Sequence, residues 1–95
     1  MLGLCRRHGL PEPLVNQRVE GWEVDFVWPD ARVIVEIDGW STHSRRSAFE
    51  RDRLRDADLA AAGWRVIRVT WRRLMREPDA VASQLARLLG VWAQT

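Results

Sequence analysis

The stretch WEVDFVW (residues 22–28), PDA (29–31), RVIVEID (32–38) decides how this chain folds. Both flanks are rich in β-branched and aromatic residues, and Pro29-Asp30-Ala31 suits a type I turn between them. The pattern predicts two antiparallel strands. With the hairpin symmetric about the Asp30–Ala31 bond, cross-strand partners sum to 61. Val24 then faces Ile37, Phe26 faces Val35 and Trp28 faces Val33, which makes one face wholly apolar. On the other face Val27 meets Ile34, Asp25 meets Glu36 and Glu23 meets Asp38. A slip of one residue would exchange the faces, so the apolar pairing supports this register.

The register gathers four carboxylates at one end of one sheet face. Opposed residues have Cβ atoms only about 4.5–5.5 Å apart, where like charges destabilise. Either a carboxylate stays protonated with a raised pKa, or a hard divalent cation neutralises the group. Oxygen-only ligands suit Mg²⁺, with Mn²⁺ as an alternative. Asp25 and Glu36 lead as metal ligands, and Asp38 is the third candidate. Glu23 reads as a solvated edge residue. The bland alternative for all four is a screened face partly paired with arginines. Just beyond the second strand, Gly39-Trp40-Ser41-Thr42-His43 brings a histidine near the acidic end, where it could act as general base or acid.

Working outward, residues 2–8 predict a short helix ended by Gly9 and Pro11-Glu12-Pro13, and 14–19 a strand followed by a turn at Gly21. Residues 39–44 read as a loop. A charged helix spans 45–62 with Gly63 at its C-terminal cap, and 64–70 (WRVIRVT) is a strand. Pro78 opens a last helix with the apolar stripe Val81, Leu85, Leu88 and Trp92. The order α-β-β-β-α-β-α defines an α/β (α+β) chain with a mixed four-stranded sheet flanked by helices. The crossover helix makes the last strand parallel to its neighbour. One domain over residues 1–95 is expected at this length.

Within the charged helix, Phe49, Asp52, Asp56 and Leu59 form one stripe by spacings of three and four. Aspartates on a core-facing stripe need partners, and Arg68 in the apolar strand is a candidate. A buried Asp–Arg bridge and a direct catalytic role for Arg68 both remain open at this point. The helix also carries Arg45, Arg46, Arg51, Arg53 and Arg55, and Arg72, Arg73 and Arg76 follow the last strand. Guanidinium forks match phosphate oxygens, which suits a polyanion partner whose affinity falls with salt.

Composition agrees with this picture. The chain has 95 residues, 15 arginines, no lysine and 13 carboxylates, for a formal charge of +2. The pI is nonetheless about 9.9, because arginine does not deprotonate in the accessible range. Residues 1–44 hold 4 arginines against 7 acids and residues 45–95 hold 11 against 6, so the basic charge is localised. An apolar share of 46% excludes a disordered chain. No apolar run approaches the ~20 residues that span a bilayer, so no membrane is expected as a partner. Cys5 is the single cysteine. With no signal-peptide pattern in Met1–Arg7, it points to a reducing, cytoplasmic setting.

The combined order EVDF, VEIDGWSTH, FERDRLRDADLAAAGWRVIRVTW resembles a bacterial domain-of-unknown-function family. That family is related to the very-short-patch-repair endonuclease, within the PD-(D/E)xK restriction-endonuclease-like superfamily. The likeness covers about residues 9–90. It implies a Mg²⁺-dependent DNA endonuclease with Asp25 and Glu36 as metal ligands. Asp38 stands where the superfamily usually has lysine, and His43 is similar to a histidine near the repair endonucleases' active site. Family members often neighbour antitoxin-like regions, which implies a DNA-repair or phage-defence setting and an antitoxin-like or repair partner protein. The catalytic set is therefore Asp25, Glu36, Asp38 and His43, and the nucleic-acid-binding set Arg45, Arg46, Arg51, Arg68 and Arg72. The first helix is shorter than in relatives. Two alternatives stay open. One is a nucleic-acid-binding or regulatory module that has lost the chemistry, and the other a protein-interaction domain with Trp22, Trp40, Trp64 and Trp92 among its anchors.

Overall fold

A computed structural model describes residues 1–38 and 46–91, with the side chains of residues 46–49 outside the description. The elements run α1 (Leu2–Arg7), β1 (Leu14–Val19), β2 (Trp22–Trp28), β3 (Val33–Asp38), α2 (Arg46–Ala61), β4 (Arg65–Thr70), α3 (Trp71–Arg76) and α4 (Pro78–Leu89). The sheet order is β1-β2-β3-β4. The first three strands form an antiparallel meander, and β4 lies parallel to β3 across the α2 crossover. The predicted mixed four-stranded sheet and its element order hold, with α3 as an additional short helix. The expected loop at 39–44 and Trp92 lie outside the described residues.

Local chemistry sets the corners. Glu20 and Gly21 both take positive φ, 51° and 81°, between the paired residues Val19 and Trp22. A two-residue turn of this kind matches the right-handed twist of its strands. At the next corner the Arg32 amide donates to the Pro29 carbonyl at 3.1 Å, closing a turn over Asp30 and Ala31. The Arg32 guanidinium then lies 4.8 Å from the Trp64 ring centroid and donates to the Ala62 carbonyl at 2.8 Å. It ties the hairpin tip to the α2–β4 corner. Thr70 caps α3 by accepting from the Arg73 amide at 3.1 Å. That cap is the sequence signal for α3, which periodicity misses because only Leu74 is buried on its six residues.

The hairpin register is as the sequence predicts: Phe26 pairs with Val35, Val27 with Ile34 and Trp28 with Val33. One sheet face carries the larger core, where Trp28, Val33, Val35 and Val69 meet Leu4, Cys5, Leu74, Val81, Ala82 and Leu85 from α1, α3 and α4. Cys5 is a free, buried thiol. The opposite face holds a smaller cluster of Val24, Val27, Ile34 and Leu59, with Trp22, Trp64 and Val66 packed against it.

Val24 corrects the sequence reading. It was expected beside Ile37 and Phe26, but it lies on the α2 face with Val27. Strict alternation is therefore broken between residues 24 and 27. The break sits at Asp25, opposite Asn16, whose φ of 53° interrupts β1. The paired residues flank this point, with Val15 opposite Phe26 and Gln17 opposite Val24. A strand residue in the left-handed region kinks the ladder as a bulge does.

Candidate active site

The kink opens the hairpin where its charges begin. Beyond the Phe26–Val35 pair, carboxylates take over the strand donors. The Asp25 amide donates to Glu36 Oε2 at 2.9 Å, and the Ile37 amide donates to Asp25 Oδ2 at 2.9 Å. Each strand thus anchors the other's carboxylate by a backbone N–H, which fixes two acids side by side on a rigid element. Glu36 is buried with 4% exposure, and Asp25 is half-buried.

Burial pushes the Glu36 carboxyl up to about 7. The Asp25 N–H opposes this by favouring the ionised form, and the Asp25 negative charge adds to the rise. The second oxygen, Glu36 Oε1, accepts no hydrogen bond among the described residues. The Arg55 guanidinium stands 3.2 Å from it as an ion-pair partner.

Two guanidiniums organise the rest of this face. Arg68 lies beside Glu36 in the parallel register of β4. Its Nε and Nη2 donate to the two oxygens of Asp56 at 3.1 and 3.0 Å, and Nη1 donates to Asp38 at 3.0 Å. Asp52 is 3.7 Å away. Burial alone would lower the Arg68 pKa, but the Asp56 and Asp38 hydrogen bonds and the charges of Asp56 and Asp52 raise it. The Asp–Arg bridge anticipated from the α2 stripe is thus present. Asp56 and Asp38 engage three of the guanidinium's N–H groups, and the Arg68 side chain is 19% exposed. Arg55 reaches Glu36, lies 3.5 Å from Asp52 and 4.0 Å from Asp56.

The structure unites Asp25 and Glu36 but gives Asp38 to Arg68. Among the described residues no three His, Cys, Asp or Glu side chains stand together as a ligand cluster. The expected Glu23–Asp38 pairing is not formed either. Glu23 is exposed and lines a cleft of about 320 Å³ with Asn16, Val24, Asp25 and Arg55. Arg51 is exposed on α2 and Arg72 on α3. His43 and Arg45 lie outside the described residues, as does the Arg46 side chain. Arg55, grouped by sequence with the solvent-facing arginines of α2, is half-buried in the structure. Its signal was available, since it precedes the buried Leu59 by four positions and so shares the inward stripe.

Among the described side chains here, Glu36, Asp38, Asp52 and Asp56 pair with Arg55 and Arg68, while Asp25 accepts from the Ile37 amide. A surplus of carboxylate, an unsatisfied buried Glu36 oxygen and an oxygen-only donor set fit a hard divalent cation held by Asp25 and Glu36.

An antiparallel meander extended by a parallel strand across a helical crossover, with a carboxylate pair where the hairpin opens, is a restriction-endonuclease-like fold. The chain belongs to the family REase_MTES_1575, whose model matches residues 6–89. Among solved structures, the catalytic domain of the homing endonuclease I-Bth0305I is similar with a TM-score of 0.66. That likeness covers 80% of this chain and 76% of the other at 24% identity, and it bears on the fold alone. An uncharacterized protein of Mycobacterium tuberculosis (strain H37Rv) is 34% identical over 87 residues, or 86% of this chain and 32% of its own length. An uncharacterized protein of Haemophilus influenzae is 40% identical over 62 residues, covering 65% of this chain and 50% of its own. The chain therefore spans a third to a half of the length of the curated relatives it matches. Among the described residues, no helix is long and apolar enough to cross a membrane.

Proposed function

We propose that the protein is a divalent-metal-dependent DNA endonuclease that hydrolyses phosphodiester bonds. The observation that carries this reading is the Asp25–Glu36 pair, cross-anchored at 2.9 Å in both directions on a restriction-endonuclease-like sheet. Asp25 and Glu36 would hold Mg²⁺ or Mn²⁺. When bound, such an ion supplies charge that polarises the phosphate and lowers the pKa of the attacking water. The backbone donors of Ile37 and Asp25 keep both carboxylates oriented before any ligand arrives, so little ordering remains at the reactive step. Arg55 lines the same cleft, and its guanidinium, paired with Glu36, Asp52 and Asp56, would exchange a carboxylate for a phosphate oxygen when the strand binds. His43 is assigned to positioning or deprotonating the water, and Arg45, Arg46, Arg51 and Arg72 to the strand. Arg68 acts instead as the tether that holds Asp38, Asp52 and Asp56 in place. A relationship to very-short-patch repair, a setting in DNA repair or phage defence, a cytoplasmic location and an antitoxin-like or repair partner belong to the same proposal.

The Arg68–Asp38 bond favours one rival. The chain has no lysine, and the residue at the superfamily's lysine position is bound elsewhere. That is what a nucleic-acid-binding module without chemistry would show. Cleavage of labelled DNA in Mg²⁺ or Mn²⁺, lost in Asp25→Ala and in Glu36→Gln while circular dichroism is unchanged, supports the endonuclease. Salt-sensitive binding with no metal-dependent cleavage by wild type supports the module. Cleavage that persists in both variants would overturn the assignment of the site.

A further inference from the structure

The carboxylate cleft does not end at Asp25. Glu23 and Arg55 also line a second cleft of about 440 Å³, which continues between the β1–β2 turn and α2. Its far end carries Arg18 and Arg51, both exposed, and one wall is the half-buried Trp22. Two contacts make this wall and mouth preorganised. Trp22 Nε1 donates to Asp58 on α2 at 3.1 Å, which pins the indole edge. Arg18 Nη1 donates to the Gly21 carbonyl at 2.9 Å, which holds that guanidinium over the turn.

We propose that this second cleft seats one unpaired nucleotide of the strand that enters the Asp25–Glu36 site, with its base against Trp22 and its phosphates near Arg18 and Arg51. The proposal rests on the nucleic-acid reading above and narrows its substrate class to DNA with a single-stranded segment next to the cleaved bond. Three observations lead there. The volume falls in the range of small-ligand pockets, about 300–1,000 Å³, so it suits a nucleotide rather than the outside of a duplex. An aromatic wall can be used only by a base whose face is free, whereas paired bases are stacked on both faces. Of the charges lining the cleft, Arg55 and Asp52 are paired with each other, which leaves Arg18 and Arg51 against Glu23. The sign at the mouth therefore favours phosphate, and Arg55 joins the two clefts by reaching Glu36.

Fluorescence anisotropy of a labelled oligodeoxynucleotide, in EDTA and low salt, tests this with the full chain. The single strand is expected to bind about tenfold or more tightly than a blunt duplex of the same sequence. Arg51→Glu, an exposed substitution, should weaken single-strand binding about tenfold and reduce its salt dependence. Trp22→Leu should weaken it comparably, while Trp22→Phe keeps the ring and most of the affinity. Arg87→Ala, on exposed α4 surface, should leave binding unchanged. Equal or tighter binding of the blunt duplex overturns the proposal, and so does unchanged single-strand affinity in both Arg51→Glu and Trp22→Leu. Strand-selective binding without cleavage by wild type in Mg²⁺ or Mn²⁺ would keep the cleft and sink the endonuclease. Metal-dependent cleavage with no strand preference would do the reverse.

Discussion

The two faces of one strand, Val33–Asp38, meet different worlds. Val33, Val35 and Ile37 enter a core built by α1, α3 and α4. Ile34, Glu36 and Asp38 face α2, where, among the described side chains, fully buried Leu59 completes the apolar contact before charge takes over. The first face is held by burial that is not directional and needs only volume. The second is held by paired forks and carboxylates that work in one geometry only. A small domain can thus place an electrostatically unbalanced cluster on a sheet whose stability is supplied from behind.

That contrast can be broken from its strongest side first. Leu85 is fully buried in the larger core, and Leu85→Ala should cost about 2–5 kcal/mol in chemical denaturation. Leu54→Ala, at an exposed α2 position, should cost under about 0.5 kcal/mol. On the charged face, Arg68→Ala leaves Asp38, Asp52 and Asp56 without their common partner. It should cost about 2–3 kcal/mol, somewhat less than a fully buried pair because Arg68 remains partly exposed. Arg68→Lys should recover only part of this, since an ammonium cannot hold Asp56 through two donors.

Glu36→Gln sharpens the comparison in the opposite direction. The folded state holds the Glu36 carboxyl at about 7, above its ordinary 4.5, and so favours its protonated form. The stability associated with that proton is complete below about pH 4.5 and is lost as pH rises to about 7. Asp25 and Arg55 are the charges that act on it, and Glu36→Gln removes this carboxyl. The variant should therefore match wild type at pH 4 and exceed it by about 1–3 kcal/mol above pH 7.5, measured by denaturation across pH. A variant that is less stable at high pH would show that Glu36 is not destabilised by burial. A smaller loss than at Leu85 or Arg68 is expected for Thr70→Ala, which removes the α3 cap and should cost about 1 kcal/mol.

Much of the sheet was legible because its signals are local. β1 and β2 have the bounds that the sequence predicts, and the partner sum of 61 holds at Trp28–Val33, Val27–Ile34 and Phe26–Val35. Adjacent carboxylates at 25 and 36 follow from that register. The place of Val24 was not legible, since alternation assumes an unbroken pleat and Asn16 breaks it from the neighbouring strand. Tryptophan also had to be seen in place. Trp28 is buried with its Nε1 on the Pro11 carbonyl at 2.7 Å, and Trp64 packs under Arg32.

The sequence by itself determined which residues oppose each other from the hairpin tip to Phe26–Val35, and hence that Asp25 and Glu36, the next positions, are neighbours. Period-two alternation and a short turn act over a few residues and leave one register. Only the tertiary structure decided how the charges are neutralised. Asp38 turns to Arg68, 30 positions along the chain, and Glu36 to Arg55. Those choices depend on the parallel register of β4 against β3 and on where α2 settles over the sheet. Any of several arginines satisfies the charge, and the docking of whole elements selects which two come within reach.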